Sequence, residues 1–168
     1  FVSERKGEYD VYTARADGTD VKPLLTKDVD EAAMAWTRDG RWLIEKEWHP
    51  DGTTPLILFD TSGVSAPRVL TANMGPNARV RLSPDEHWIL LSSSSSGRSE
   101  VFVQPFPSGT PLVRVSSNGG NDPLWSPTGA EIFFRHDKTL VSVSFHQEGG
   151  RSVIGRETPL FRLGSSEV

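Results

Sequence analysis

The chain has 168 residues, 36% of them hydrophobic, with 18 Lys and Arg against 22 Asp and Glu for a net charge of −4. That is enough apolar material for a sizeable core, most simply in one domain, and no stretch gathers Lys and Arg into a stripe able to follow a phosphate backbone, which argues against nucleic acid as a partner. Runs such as Trp88-Ile89-Leu90-Leu91 fall far short of the roughly 20 residues of a bilayer-crossing helix, so no membrane insertion is expected in this segment, and the lack of cysteine removes disulfides, thiolate nucleophiles and Cys-based zinc sites together.

Along the chain, apolar β-formers of strand length alternate with Gly, Pro, Asp and Ser clusters, and no amphipathic stretch persists long enough for a good helix. The first unit, residues 1–27, opens in strand-like sequence without a starting Met, as a mature piece or an excised fragment would. It continues through a strand at Val11 to Tyr12, the Asp17-Gly18 dipeptide and a Leu24-Leu25-Thr26 ending. The second unit, 32–73, runs from a strand ending at Ala35-Trp36 through Thr37-Arg38-Asp39-Gly40 to strands at Trp42 to Ile44 and Leu56 to Phe59, and ends at Val69-Leu70-Thr71. The third, 77–117, has a strand ending at Leu82, the turn Ser83-Pro84-Asp85-Glu86, and strands at Trp88 to Leu91, Val101 to Phe106 and Leu112 to Val115. The fourth, 121–163, repeats the order with Leu124-Trp125-Ser126-Pro127-Thr128-Gly129, Ile132 to Phe134 and Leu140 to Phe145. Asp17-Gly18 and Asp39-Gly40 accept the positive φ of tight hairpins, and Pro84 and Pro127 pre-set φ at a turn's first central position.

These units share one period. Gly7, Gly52 and Gly97 recur at intervals of 45 residues, as do Thr26, Thr71 and Ser116, and the strand-into-turn segments recur at 46 and 43. Four short strands in about 45 residues make a β-propeller blade, which buries its faces only against neighbouring blades. The expected fold is therefore all-β: one propeller domain or fragment of four-stranded antiparallel blades, about four in number, the first lacking its innermost strand. Trp36 and Trp125, at the ends of innermost strands, and Trp42 and Trp88 on the next strands are expected to pack between blades.

Trp125-Ser126-Pro127-Thr128-Gly129, Gly7-Glu8-Tyr9-Asp10-Val11-Tyr12 and Gly97-Arg98-Ser99-Glu100-Val101-Phe102 resemble the TolB-like, or WD40-like, propeller repeat, over almost the whole chain from Phe1 to about Leu163. Departures are Thr37-Arg38 for Ser-Pro, Leu82 for Trp, Pro55 for the acidic residue, and a fourth unit without the Gly-x-x-Asp step. Gln104-Pro105-Phe106-Pro107, Val115-Ser116-Ser117-Asn118-Gly119-Gly120 and Pro159-Leu160-Phe161 are similar, more specifically, to propellers attached to bacterial serine/threonine protein kinases. That resemblance implies an extracytoplasmic sensing domain, at the periplasm or cell surface, of a membrane kinase. The chain itself carries no kinase motif.

Residues just before each innermost strand line a propeller's channel mouth, the favoured place for a ligand. The candidates are Asp30 and Glu31, Asn77 and Arg79, and Asn121 and Asp122. No His-x-x-x-His or Glu-x-x-His pairing joins His49, His87, His136 or His146, no spacing of acidic residues suggests a calcium loop, and no Gly-x-Ser-x-Gly elbow surrounds Ser92 to Ser96. No metal, cofactor or catalytic residue is expected. The first reading is a non-catalytic scaffold that binds a protein or small molecule; the second is the gating propeller of a serine peptidase resembling prolyl oligopeptidases. A glycosidase or lyase using Glu31 with Asp122 ranks last. An array that cannot close on itself also predicts a homo-oligomer, or contact with the rest of a larger propeller.

Overall fold

A computed structural model describes residues 1–4, 7–149 and 151–164. Every helix or strand assigned among them is a strand, and the chain divides into two compact units, Phe1–Met74 and Gly75–Val168.

In the first unit, β1 (Val2–Glu4), β2 (Tyr9–Thr13) and β3 (Lys22–Leu25) form a three-stranded antiparallel sheet in that order. The blade expected to lack its innermost strand thus shows three strands among the described residues. β4 (Asp30–Trp36), β5 (Trp42–Trp48), β6 (Leu56–Asp60) and β7 (Arg68–Thr71) follow as a four-stranded meander. Val11 and Leu25 of the first sheet meet Leu43 of the second in a small apolar core.

The second unit holds the meander β8 (Arg79–Leu82), β9 (Trp88–Ser93), β10 (Glu100–Pro105) and β11 (Val113–Arg114). Beside it lie β12 (Asn121–Trp125), β13 (Glu131–His136) and β14 (Thr139–Glu148), closed by β16 (Thr158–Arg162) on the first part of β14. β14 outruns the expected strand, and its second half pairs instead with an added strand, β15 (Arg151–Ile154). Trp88, Leu90, Val101, Val103, Ile132 and Phe134 belong to one apolar cluster built from both sheets.

The repeat's marker residues turn out to be fasteners. In the turn between the first two strands of the second, third and fourth blades, a hydroxyl accepts the backbone N–H that starts the next strand: Trp42 to Thr37 Oγ1 at 2.9 Å, Trp88 to Ser83 Oγ at 3.0 Å and Glu131 to Ser126 Oγ at 3.1 Å. The same hydroxyl donates to Asp39 at 2.6 Å and to Asp85 at 2.5 Å, and lies 3.2 Å from the Thr128 hydroxyl. The fourth turn position is left-handed in all three, with φ of 73° at Gly40, 58° at Glu86 and 74° at Gly129. Glu86 alone carries a Cβ there. Thr37-Arg38 departs from Ser-Pro in sequence and yet keeps every one of these bonds.

Glu100 explains the second period. It is buried at the start of β10, accepts hydrogen bonds from Ser116 Oγ and from the Gly119 N–H at 3.1 Å, and pairs with Arg98. Ser116 Oγ in turn accepts the Val101 N–H at 2.9 Å. Burial alone would raise the Glu100 carboxyl, but the bonds from Ser116, Arg98 and Gly119 outweigh it and hold it below the ordinary value. An acidic residue 16 positions ahead of a Ser or Thr is therefore a clasp between neighbouring strands, repeated in sequence by Asp10 and Thr26 and interrupted at Pro55.

The tryptophans divide. Trp88 is buried and meets the Phe145 ring edge-on at 5.1 Å between centroids, and Trp125 meets the same ring at 5.0 Å, so both pack between sheets of the second unit. Trp36 does not follow the expectation: it is 42% exposed and donates its indole N–H to Gly40 O at 2.7 Å, bracing the turn instead. Trp42 is half-buried, with the Arg41 guanidinium 4.8 Å over its ring.

Candidate functional site

β5 reads Trp-Leu-Ile-Glu-Lys-Glu-Trp, and Leu43 through Glu47 are all buried. Alternation along the strand sends Leu43, Glu45 and Glu47 to one face, the face on which Leu43 meets Val11 and Leu25. Glu31 stands directly opposite Glu47 in the β4–β5 register, which adds a third carboxyl to that face. Lys27, from the connection before β4, reaches in with Nζ 2.6 Å from Glu45 Oε1, 2.6 Å from Glu47 Oε1 and 3.8 Å from Glu31 Oε2. Glu47 also lies 2.6 Å from His49 Nε2, and Glu31 Oε1 accepts the Val11 N–H at 3.4 Å, tying this face to the first sheet.

One ammonium cannot neutralise three buried carboxylates, so the group responds by holding protons. Burial, then the neighbouring Glu45 charge, pushes the Glu31 carboxyl up to about 7. Burial also raises Glu45, against the pull of Lys27. At Glu47 the burial effect is outweighed by the bonds to Lys27 and His49, and its carboxyl is held below the ordinary value. Burial would lower Lys27, but Glu45 and Glu47 raise it above the ordinary lysine range. Glu31 Oε2 and Glu45 Oε2 are both buried without a hydrogen-bond partner.

Beside this cluster a cavity of about 420 Å³ is lined by Val2, Tyr9, Asp30, Glu31, Ala32 and Trp48. Its walls are apolar and aromatic apart from Asp30 and Glu31, and alternation along β4 turns the Glu31 carboxyl to the opposite face, toward Lys27. Asp30 Oδ1 accepts the Tyr9 N–H at 2.9 Å. On β5, the wholly buried Lys46 places its ammonium 4.5 Å from the Trp48 ring centroid.

The other sequence candidates lie in the second unit. Asp122, at φ 51°, pairs with Arg135 at 3.0 Å and stands 4.0 Å from Arg79. Asn121 lines a cleft of about 110 Å³ with Arg98, Asn118, His136 and Asp137, while Asn77 sits exposed in the turn before β8. Of the six residues, then, Asp30 and Glu31 come together in a cavity, Arg79 and Asp122 approach each other, and Asn77 joins neither group. Sequence reasoning missed Lys27, Glu45 and Glu47. The signal was available in the repeat itself: where β9 reads Leu91-Ser92-Ser93 and is buried throughout, the corresponding strand reads Glu45-Lys46-Glu47.

No protein-family model matches the chain, and no curated protein does. Solved structures do. The chain matches a protein of Agrobacterium tumefaciens assigned as TolB, with TM-score 0.68 and 20% identity over 93% of this chain and 60% of that one. It matches TolB of Acinetobacter baumannii with TM-score 0.65 and 17% identity over 92% of this chain and 39% of that one. A structure from a study of two prolyl endopeptidases matches with TM-score 0.56 and 14% identity, over 95% of this chain and 26% of that one. The fold is accordingly an all-β propeller fold of four-stranded antiparallel blades, the first of them three-stranded here. Its solved likenesses include the TolB propellers, and the chain spans 60% of the length of the first of these and 39% of the second.

Proposed function

We propose that the chain is a non-catalytic binding or sensing segment of a propeller, and that it binds at the cavity where β4 begins. The observation that carries this reading is the cavity itself: a concave, largely apolar space bounded by the Tyr9 and Trp48 rings, with Asp30 at its edge, is the usual form of a small-ligand or side-chain site. Its charged neighbours are engaged with one another, Lys27 with Glu45 and Glu47, and Glu47 with His49, which gives them a structural task. The four units 1–27, 32–73, 77–117 and 121–163 act in this reading as one domain that associates with a second copy or with further blades. The similarity of Gln104-Pro105-Phe106-Pro107 and its companion segments to kinase-attached propellers supports an extracytoplasmic place in a bacterial receptor-type kinase.

An NMR fragment screen on the isotope-labelled chain tests the reading. Binders are expected to shift the Tyr9, Ala32 and Trp48 signals together. Binders that shift only other residues, or turnover of esterase, peptidase or glycosidase substrates, would overturn it. The likeness to a prolyl endopeptidase structure favours one second reading, a propeller that gates a peptidase. An α/β-hydrolase domain adjoining this segment in the intact protein would establish that alternative.

A further inference from the structure

Independently of the cavity at the start of β4, we infer that the second unit has a peptide site of its own. The open edge of β14 takes an extended segment of a partner protein as an added strand, with one apolar side chain seated between the first turns of the third and fourth blades. The unpaired backbone, the pocket beside it and the direction of the side chains there point to that ligand.

The backbone comes first. β14 runs for ten residues, Thr139–Glu148, whereas its register with β13 ends at the pair Glu131–Ser144. The last bond across that edge goes from the Phe145 N–H to Ala130 O at 2.8 Å. Backbone groups of an antiparallel strand alternate between its two edges. The Gly155 N–H bonds Ser144 O at 2.9 Å, so Ser144, His146 and Glu148 turn their backbone groups to the β15 side. Gln147 therefore turns its N–H and C=O to the other edge, where no strand among the described residues pairs with it. Such an edge is a template for an extended segment of another chain. Only the fourth sheet carries the added strand β15, so this edge has no counterpart in the other blades.

The pocket lies along the same edge. It measures about 460 Å³ and is lined by residues 83–85 of the third blade's turn, residues 128–130 of the fourth blade's turn, and His146 and Gln147. That volume is enough for one side chain together with a short length of backbone. The buried Trp88 and Phe145 line it as well.

Side-chain direction sets the chemistry. The Phe145 ring meets the Trp88 ring edge-on at 5.1 Å, and alternation along β14 puts Gln147 on that same face. A residue paired opposite Gln147 shares the face, so its side chain enters the pocket over Phe145, Trp88 and Pro84. The polar groups of the two turns are engaged within them. The Asp85 carboxylate accepts from Ser83 Oγ and the His87 N–H, and Thr128 Oγ1 lies against Ser126 Oγ and accepts the Ala130 N–H. The apolar groups are left to select the side chain, and the strand edge supplies the backbone bonds.

The test pans a random heptapeptide library, displayed on phage, against the parent chain, with the Gln147→Pro variant as soluble competitor. Proline at 147 removes one N–H from the open edge and breaks no bond to β15, because that N–H points away from it. Enriched peptides are expected to carry an apolar residue flanked by residues of high β-propensity and to shift the Asp85, Thr128 and Gln147 amides in NMR titration. Their affinity should fall about tenfold or more on Gln147→Pro and stay within about threefold on Gln147→Ala, which keeps the backbone donor. Unchanged Trp88 and Phe145 ring signals establish that the proline variant is folded. Methylating the peptide's own backbone nitrogens one at a time gives a second measure that needs no variant: alternate positions should lose binding, as a strand pairing requires. Failure to enrich any peptide would overturn the inference, as would peptides that bind Gln147→Pro equally well, tolerate methylation at every position, or shift only other residues. Self-association of the chain that broadens the same amides and disappears in Gln147→Pro would also overturn it, by assigning the edge to a second copy.

Discussion

The second unit and the first solve the same packing problem with opposite materials. Between β9–β10 and β13–β14, the facing side chains are Leu, Val, Ile, Phe and Trp, an ordinary apolar filling. Between β2–β3 and β4–β5, the apolar contact is Val11, Leu25 and Leu43 with Leu24 and Phe59 packed against them, and beside it on the shared face lie Lys27, Glu31, Glu45 and Glu47. Burying three carboxyls around one ammonium is not the most stable way to fill a blade face, since apolar residues of similar volume are often as good or better. The first unit thus keeps Glu45, Lys46 and Glu47 where the second keeps Leu91, Ser92 and Ser93.

Breaking the apolar side of the comparison should have the largest effect. Phe134→Ala removes a fully buried ring from the second unit's core and should cost about 3–5 kcal/mol in urea unfolding. On the charged side, Lys27→Met strands three carboxylates without their ammonium and should cost about 3 kcal/mol at pH 8. The loss should fade at pH 5, where Glu31 holds its proton.

The pH dependence sharpens the contrast further. Glu31 has a folded pKa raised to about 7 from the ordinary 4.5. Between those values the folded state keeps a proton that the unfolded state releases, so the contribution of Glu31 to stability falls as pH rises from about 4.5 to about 7. Glu45 acts in the same direction, whereas Glu47, whose pKa is lowered, contributes stability that is lost as pH falls. Glu31→Gln should therefore flatten the decline and leave the variant more stable than the parent at pH 8, by on the order of 2 kcal/mol. The smallest effect compares two turns of one design. Glu86→Gly relieves a left-handed residue at φ 58° where the first unit already has Gly40 at 73°, and should gain about 1 kcal/mol in urea unfolding.

The fold was legible because its signals are local and repeated. Ser-Pro-Asp and Asp-Gly turns, left-handed glycines at 45-residue intervals and alternating strands each state their own geometry, and the hydrogen bonds of Thr37, Ser83 and Ser126 show that each copy obeys it. Asp30 and Glu31 were named as residues before an innermost strand, and the structure places them on that strand, as the first two residues of β4. Lys27, Glu45 and Glu47 were not legible, because Glu-Lys-Glu reads as a solvated edge unless the strand is known to be covered on both faces. Trp36 was misjudged for a related reason: a large aromatic suggests burial, yet a hydrogen bond to Gly40 O holds its indole at the surface. The hairpin of β14 and β15 escaped notice because it is an insertion peculiar to the last blade.

The central claim is that the first unit buries a carboxyl that remains protonated near neutrality beside an apolar, aromatic cavity. Carbon-detected NMR of the glutamate side-chain carboxyls across pH 3 to 9 tests it most directly. The account predicts that the Glu31 carboxyl titrates with a midpoint near 7, well above Glu47. A midpoint near the ordinary 4.5 would contradict it, showing the cluster to be open to water.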